Sequence, residues 1–443
     1  MKSILILVAA TLTITFASGQ ESEEVRSIRD ERIDTLLFGI DSQIIEVIES
    51  VAVERDELLL DTVYAAFKLS KNPSVRIAAI EAFEKLDFRA ALAEVVDIVA
   101  DYENQDTNLV VRAIGFISKE RDASVADSLL PLVTSIKSEI SSAAIRGVGR
   151  TGGSAHAEAL LAHFDDTNFE SNLKPEIILA FGALESAAVV ESLIEILNDP
   201  EQEMTWRRYA CDALGKIADS RGLPAIERAL GSEDAMLRAY AISSVRYFAD
   251  QEIIPLLEQG LRDSFWRVRV SAAQALGTLQ ASASIPILDF KARRDPEANV
   301  REEAIRALAE IGSSEAFDLL RQYFEDDLFP DALRVTAVEM LTDRDPENSI
   351  ASFKTVLDAE WDKRDKSRIL ERTGFFLSLT EHPNLDPLYS RLLDSGEIVL
   401  TIYGIRGIER NGLAAQKDRI ESLAGEGTHR SIRREAIAAL ENL

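Results

Sequence analysis

Few residues in this chain combine the types and spacing that catalysis or ligation needs. Gly147-Val148-Gly149-Arg150-Thr151-Gly152 matches the G-x-G-x-x-G spacing. In a dinucleotide site those glycines follow a strand and open a helix, so that the pyrophosphate meets helix N–H groups. Here they close a helical pattern, which makes them packing residues. The four histidines precede Ala157, Phe164, Pro383 and Arg430. His156 and His163, seven apart, fall on one helix face, and two imidazoles alone make a poor metal site. Asp165-Asp166 and Glu325-Asp326-Asp327 lack the glycine and closing glutamate of a calcium loop. Short acids of this kind are expected to cap helices. Cys211 is the only cysteine, so no intrachain disulfide forms, and its place beside an apolar stripe predicts a partly buried, unreactive thiol. No Ser/His/Asp or Cys/His set has a supporting spacing. No catalytic, cofactor-binding or metal-ligating residue is assigned, and no cofactor is expected.

What must position any functional side chain is a repeating helix. Counting from Val268, apolar or small residues fall at +4 (Ala272), +7 (Ala275) and +8 (Leu276), the stripe of one helix face. The block returns from Val300, Trp206 and Val75. Taken through the chain, the anchors are Ile40, Val75, Leu109, Ile140, Leu173, Trp206, Leu237, Val268, Val300, Leu333, Ile369, Leu400 and Ile432, 31 to 36 residues apart. Alanine holds the +4 position in nine of these thirteen, which allows close helix approach in a stacked array. A second apolar helix lies between anchors, as in Leu223–Leu230 and Ile253–Leu257, with Pro224 and Pro255 suited to a first helical turn. Asn198-Asp199-Pro200, Gly231-Ser232-Glu233-Asp234 and Arg294-Asp295-Pro296 mark turns. The fold expected is an all-α solenoid of about 13 stacked helical pairs forming a superhelix over residues 36–443. A charged lead-in, residues 20–35, runs into a first helix that reaches about Phe38.

Ahead of this, Met1-Lys2, the apolar stretch from Ile4 to Phe16 and the small residues Ala17 and Gly19 form a signal-peptide pattern over residues 1–19, with cleavage before Gln20. No later apolar run reaches the ~18 residues of a membrane span. Export to the periplasm or medium, most readily from a bacterial envelope, is therefore expected. Lys+Arg 49 against Asp+Glu 76 sets the net charge at −27. That balance excludes general affinity for nucleic acid or an anionic bilayer, both of which need a positive surface.

The Val-Arg pairs Val268-Arg269 and Val300-Arg301, the +4 alanines, and Ala-Leu-Gly at 213–215 and 275–277 resemble HEAT repeats, in the short form shared with phycobilin-lyase-type proteins. The resemblance runs from about residue 36 to the end. It implies that the anchored helices line a concave side. The family includes scaffolds, chromophore-lyase subunits and a di-iron hydroxylase that relies on His-Glu pairs; none of the four histidines here is followed by Glu. At Ile369 and Leu400 the +1 position is Leu370 and Thr401 rather than Arg.

Arginine offers the remaining chemistry. Arg or Lys stands at +1 in eight repeats (76, 174, 207, 238, 269, 301, 334, 433). Each is expected to pair with an acid of its preceding turn, such as Asp199, Asp234, Asp263 or Asp295. Positions +2, +6 and +9 point away from the core and hold Arg146, Arg208, Asp212, Arg246, Gln274, Glu302 and Arg306 through the middle repeats. This row reads either as a docking groove for an acidic or polar partner, its arginines forking onto carboxylates, or as solvated charges paired with one another. The expected function is an exported, monomeric, non-enzymatic scaffold for a protein or peptide partner. The alternatives are an accessory subunit for cofactor attachment, lyase-like, and a structural envelope component.

Overall fold

A computed structural model describes residues 23–119, 122–248, 253–361 and 368–443. Residues 1–19, read above as a signal-peptide pattern, lie outside them. Among the described residues the regular structure is α-helix and short 3-10 turns, with no strand, and no helix is long and apolar enough to cross a membrane. The chain divides into two compact units, residues 1–189 and 190–443.

The first unit holds α1 (Glu23–Phe38), α2 (Asp41–Glu54), α3 (Leu60–Leu69), α4 (Pro73–Lys85), α5 (Leu92–Ala100), α6 (Thr107–Ile117), α7 (Ala123–Leu129), α8 (Ser138–Thr151), α9 (Ser154–Asp165) and α10 (Lys174–Leu184). The second holds α11 (Val190–Asn198), α12 (Met204–Ile217), α13 (Leu223–Ala229), α14 (Ala235–Val245), α15 (Ile254–Gly260), α16 (Trp266–Thr278), α17 (Ile285–Arg294), α18 (Ala298–Ile311), α19 (Ser314–Glu325), α20 (Asp331–Arg344), α21 (Ile350–Trp361), α22 (Arg368–Leu379), α23 (Asp386–Leu393), α24 (Ile398–Arg410), α25 (Lys417–Leu423) and α26 (Arg430–Leu440). From Glu23 onward the charged lead-in is part of α1, which runs through residue 35 without a break.

Helix starts follow local chemistry. Asn72, Asp106, Asp122, Asp234 and Ser313 each accept a hydrogen bond from a first-turn backbone N–H, satisfying donors that the helix leaves unpaired. Pro224 and Pro255 sit in the first turns of α13 and α15, as their missing N–H allows. The acidic runs act elsewhere. Asp166 and Asp326 follow α9 and α19 and accept from the N–H of Asn168 and Leu328 at 2.8 and 2.9 Å, so they close turns rather than cap helix starts.

The even-numbered helices carry the anchors. Within each unit, successive even helices pack directly on one another: α2 to α10 in the first, α12 to α26 in the second. The +4 residue is buried in every one of them, Thr373 and Gly404 of α22 and α24 included. Register therefore holds where the +1 arginine is lost. Ile40 is the exception among anchors: it stands just ahead of α2, 67% exposed, and the core begins at Ile44 and Ile48. Where glycine stands at +9, as at Gly149, Gly215 and Gly277, that position does not point away from the core as expected but faces the next even helix and sets the spacing. A Cβ on Gly215 would lie 2.6 Å from the Ser244 Cβ, and one on Gly277 would lie 2.8 Å from the Ala307 Cα. Both neighbours are +7 residues of the next even helix, so a small residue faces a glycine at each junction.

Candidate functional site

In the second unit three of the arginines at +1, Arg238, Arg269 and Arg334, tie their helix to a carboxylate further along the chain. Arg238 donates from Nε and Nη2 to Asp263 at 2.8 and 2.9 Å, and Arg269 from the same atoms to Asp295 at 2.8 and 2.7 Å. Arg334 reaches Glu360 at 3.3 Å. The partner carboxylates lie 25 or 26 residues ahead, at or just beyond the end of the following odd-numbered helix. Arg334 also has Asp331 of its own first turn at 3.5 Å, whereas to Arg238 and Arg269 the preceding turn supplies no acid, only the carbonyl oxygens of Ser232 and Glu233 and of Asp263 and Ser264. This corrects the expected pairing with an acid of the preceding turn. A first-turn guanidinium projects along the stack, so its fork spans two neighbouring turns at once.

The Arg269–Asp295 pair is enclosed, with side chains 7% and 0% exposed, and Lys291 adds a contact at 3.1 Å. Burial raises the Asp295 carboxyl, but hydrogen bonds from Arg269, the Glu297 N–H and Lys291 outweigh it and hold the group below the usual carboxylate range. Arg208 does the same to Asp234, and Arg238 to Asp263, in each case chiefly through the side-chain hydrogen bond.

The outward row is partly exposed, and several of its charges are occupied. Arg208 forks onto Asp234 at 3.1 and 2.7 Å, Arg306 reaches Glu339 at 3.0 Å, and Asp212 pairs with Lys216 at 2.7 Å. In the first unit Arg146 donates to Glu176 at 2.8 Å. Arg246 lies over the Tyr247 ring, 5.0 Å from its centroid, and donates to the Tyr247 hydroxyl. Gln274 is exposed on α16 and Glu302 half-buried on α18. Burial lifts the neighbouring Glu303 carboxyl above its ordinary range, against the pull of Arg306 and with the help of Glu310.

Two tyrosines belong to the same surface and escape a reading confined to +2, +6 and +9. Tyr209 and Tyr240 stand at +3 on α12 and α14, both half-buried. Burial, with Tyr209 and Asp212 beside it, raises the Tyr240 hydroxyl, and Arg208 and Lys216 also face it. The signal that finds them is their 31-residue separation, matching the repeat.

The other candidate groups are structural. Gly147 and Gly149 lie inside α8 and Gly152 ends it, with a Cβ on Gly149 meeting Ala180 at 3.0 Å. His156 accepts the Gly153 N–H at Nδ1, which puts its proton on Nε2, facing Asp127 at 3.1 Å. His163 rests against Phe169 instead. Cys211 is fully buried, and its thiol is pushed up to about 12 by burial.

A family model described as Spirochaete HEAT repeat protein matches residues 36–439. The chain belongs to that family. Deoxyhypusine hydroxylase of Drosophila melanogaster is 25% identical over 235 residues, which are 40% of this HEAT repeat chain and 77% of the hydroxylase. Among solved structures, the CpcE and CpcF complex of phycocyanin lyase from Nostoc aligns with a TM-score of 0.35 at 19% identity, over 53% of this chain and 94% of that one. Kap95p in complex with RanGDP aligns with a TM-score of 0.49 at 13% identity, over 94% of this chain and 66% of that one. In this HEAT repeat chain, no group of three or more His, Cys, Asp or Glu side chains among the described residues is placed to hold a metal ion.

Proposed function

We propose that the chain is an exported, non-enzymatic scaffold that binds a protein or peptide partner along the outward row of its even-numbered helices. The observation that carries this reading is the surface shared by α12 and α14, where Tyr209 and Tyr240 lie beside Arg208, Asp212 and Lys216. Tyrosine and arginine contribute most per residue at protein contacts, because each combines a broad apolar or planar face with directional donors. With Arg208 and Arg306 held by carboxylates of their own chain, the row offers a mixed aromatic and polar surface rather than bare positive charge. A partner is recognised by shape and hydrogen bonding more than by its acidity.

A photo-crosslinking side chain placed at Tyr240, or at exposed Tyr247, tests this in the native extract. Both positions should trap the same protein, and exposed Glu227 on α13 of the other layer should not. Equal trapping from Glu227, or none from Tyr240 and Tyr247, would remove the row from consideration.

A further inference from the structure

A recess of about 410 Å³ lies beside the start of α12, between the ends of α11 and α13. Its walls include Arg207, Arg228, Asn198, Ser232, Leu197 and Ala229, and none of the residues lining it is acidic. In a chain at −27, two arginines converging without a carboxylate call for an account.

The tie pattern supplies one. Arg207 holds the +1 position of its repeat, as Arg238 and Arg269 do. Twenty-five residues ahead of Arg238 stands Asp263; the same step from Arg207 lands on Ser232. Of the two acids this turn carries, Asp234 is taken by Arg208 through two hydrogen bonds and Glu233 is exposed outside the recess. Arg207 is fixed through Nε to the Leu197 carbonyl at 3.0 Å, which leaves the outer edge of its fork toward the recess. Arg228, exposed in the last turn of α13, reaches only the uncharged Asn198 Oδ1, at 3.4 and 3.3 Å. Among the described residues neither guanidinium has a carboxylate at ion-pair distance. The carbonyls that end α13 do not oppose an anion, because the N–H groups of Leu230, Gly231 and Ser232 occupy those of Ile226, Glu227, Arg228 and Ala229.

We propose that this recess binds a small oxyanion, the phosphate or carboxylate group of a low-molecular-weight ligand, in the place where other repeats hold their own aspartate. Two guanidinium groups, an amide and a hydroxyl present planar and single-point donors to such a group. The volume suits a small ligand.

Isothermal titration of the whole chain with inorganic phosphate, and separately with succinate, at ionic strength held constant with chloride, tests the assignment. At least one anion should bind one-to-one; phosphate alone or succinate alone identifies which oxyanion geometry the recess takes. Arg228→Gln, at an exposed position, should weaken binding about tenfold or more, the share of a charged hydrogen bond. Ser232→Asp restores the missing acid to Arg207, so it should abolish binding while melting at or above the wild-type temperature. No saturable binding beyond chloride, or wild-type affinity in either variant, overturns the proposal.

Discussion

Asp295 accepts from Arg269 and Lys291 with its own side chain fully enclosed, so each cation is there to keep a buried charge paired. Asp295→Asn strands the Arg269 guanidinium in the same enclosure. Breaking one side of such a pair costs about 3–5 kcal/mol, and the urea midpoint of the variant should fall accordingly. The pH dependence follows from the same contacts. Asp234, Asp263 and Asp295 all titrate below the ordinary range in the folded chain. Their contribution is complete above the unfolded value near 3.9 and is lost as pH falls through the lower folded values. The urea midpoint should hold steady from neutral to about pH 5 and drop below about pH 4; a midpoint that rises on acidification contradicts the assignment. The acids and arginines of these ties are plain in the sequence. Their direction is not, because a reach of 25 or 26 residues joins each arginine across the following odd-numbered helix to its far end. Tyr209 and Tyr240 were missed for a related reason: a +3 residue sits at the edge of the buried stripe and is neither core nor fully exposed.

At the scale of the helix, repetition made the fold readable. One apolar stripe, spaced at 31 to 36 residues, puts a buried residue at +4 on every even helix, small in all but α2 and α10, and thirteen copies of a weak signal outweigh any local exception. Ile40 alone fails: it stands 67% exposed ahead of α2, and burial on that helix begins one turn later at Ile44. Position 272 tests the register. Ala272 is fully buried, and the Ala272 Cβ would meet a Cβ on Gly260 at 3.1 Å, so Ala272→Phe should overpack the junction and cost about 1–3 kcal/mol. Deleting residues 268–299 removes Arg269 together with Asp295 and leaves the Arg238–Asp263 tie intact. Because repeats contribute through their own packing and their neighbours, the deletion should stay helical by circular dichroism and elute as a smaller folded species. A deletion that unfolds while Ala272→Phe melts like wild type would show that the units are drawn in the wrong places.

For the molecule as a whole, the two ends of the chain make different demands on experiment. The small residues Ala17 and Gly19 ahead of Gln20 lead us to expect an exported chain whose N-terminal sequence begins at Gln20; Met1 retained in the membrane fraction would count against export. Further along, the arginine tie has a mechanical meaning. Each arginine fork bridges 25 or 26 residues of backbone, and the Arg238–Asp263 and Arg269–Asp295 ties follow one another along the chain. Stretched between its termini, such an array loads its links in series and yields at the weakest. A freed repeat of roughly 32 residues, at about 3.5 Å each when extended, lengthens the chain by on the order of 100 Å. Single-molecule pulling should thus give a sawtooth of nearly equal steps, and Asp295→Asn should lower the force of one early step while leaving its length unchanged.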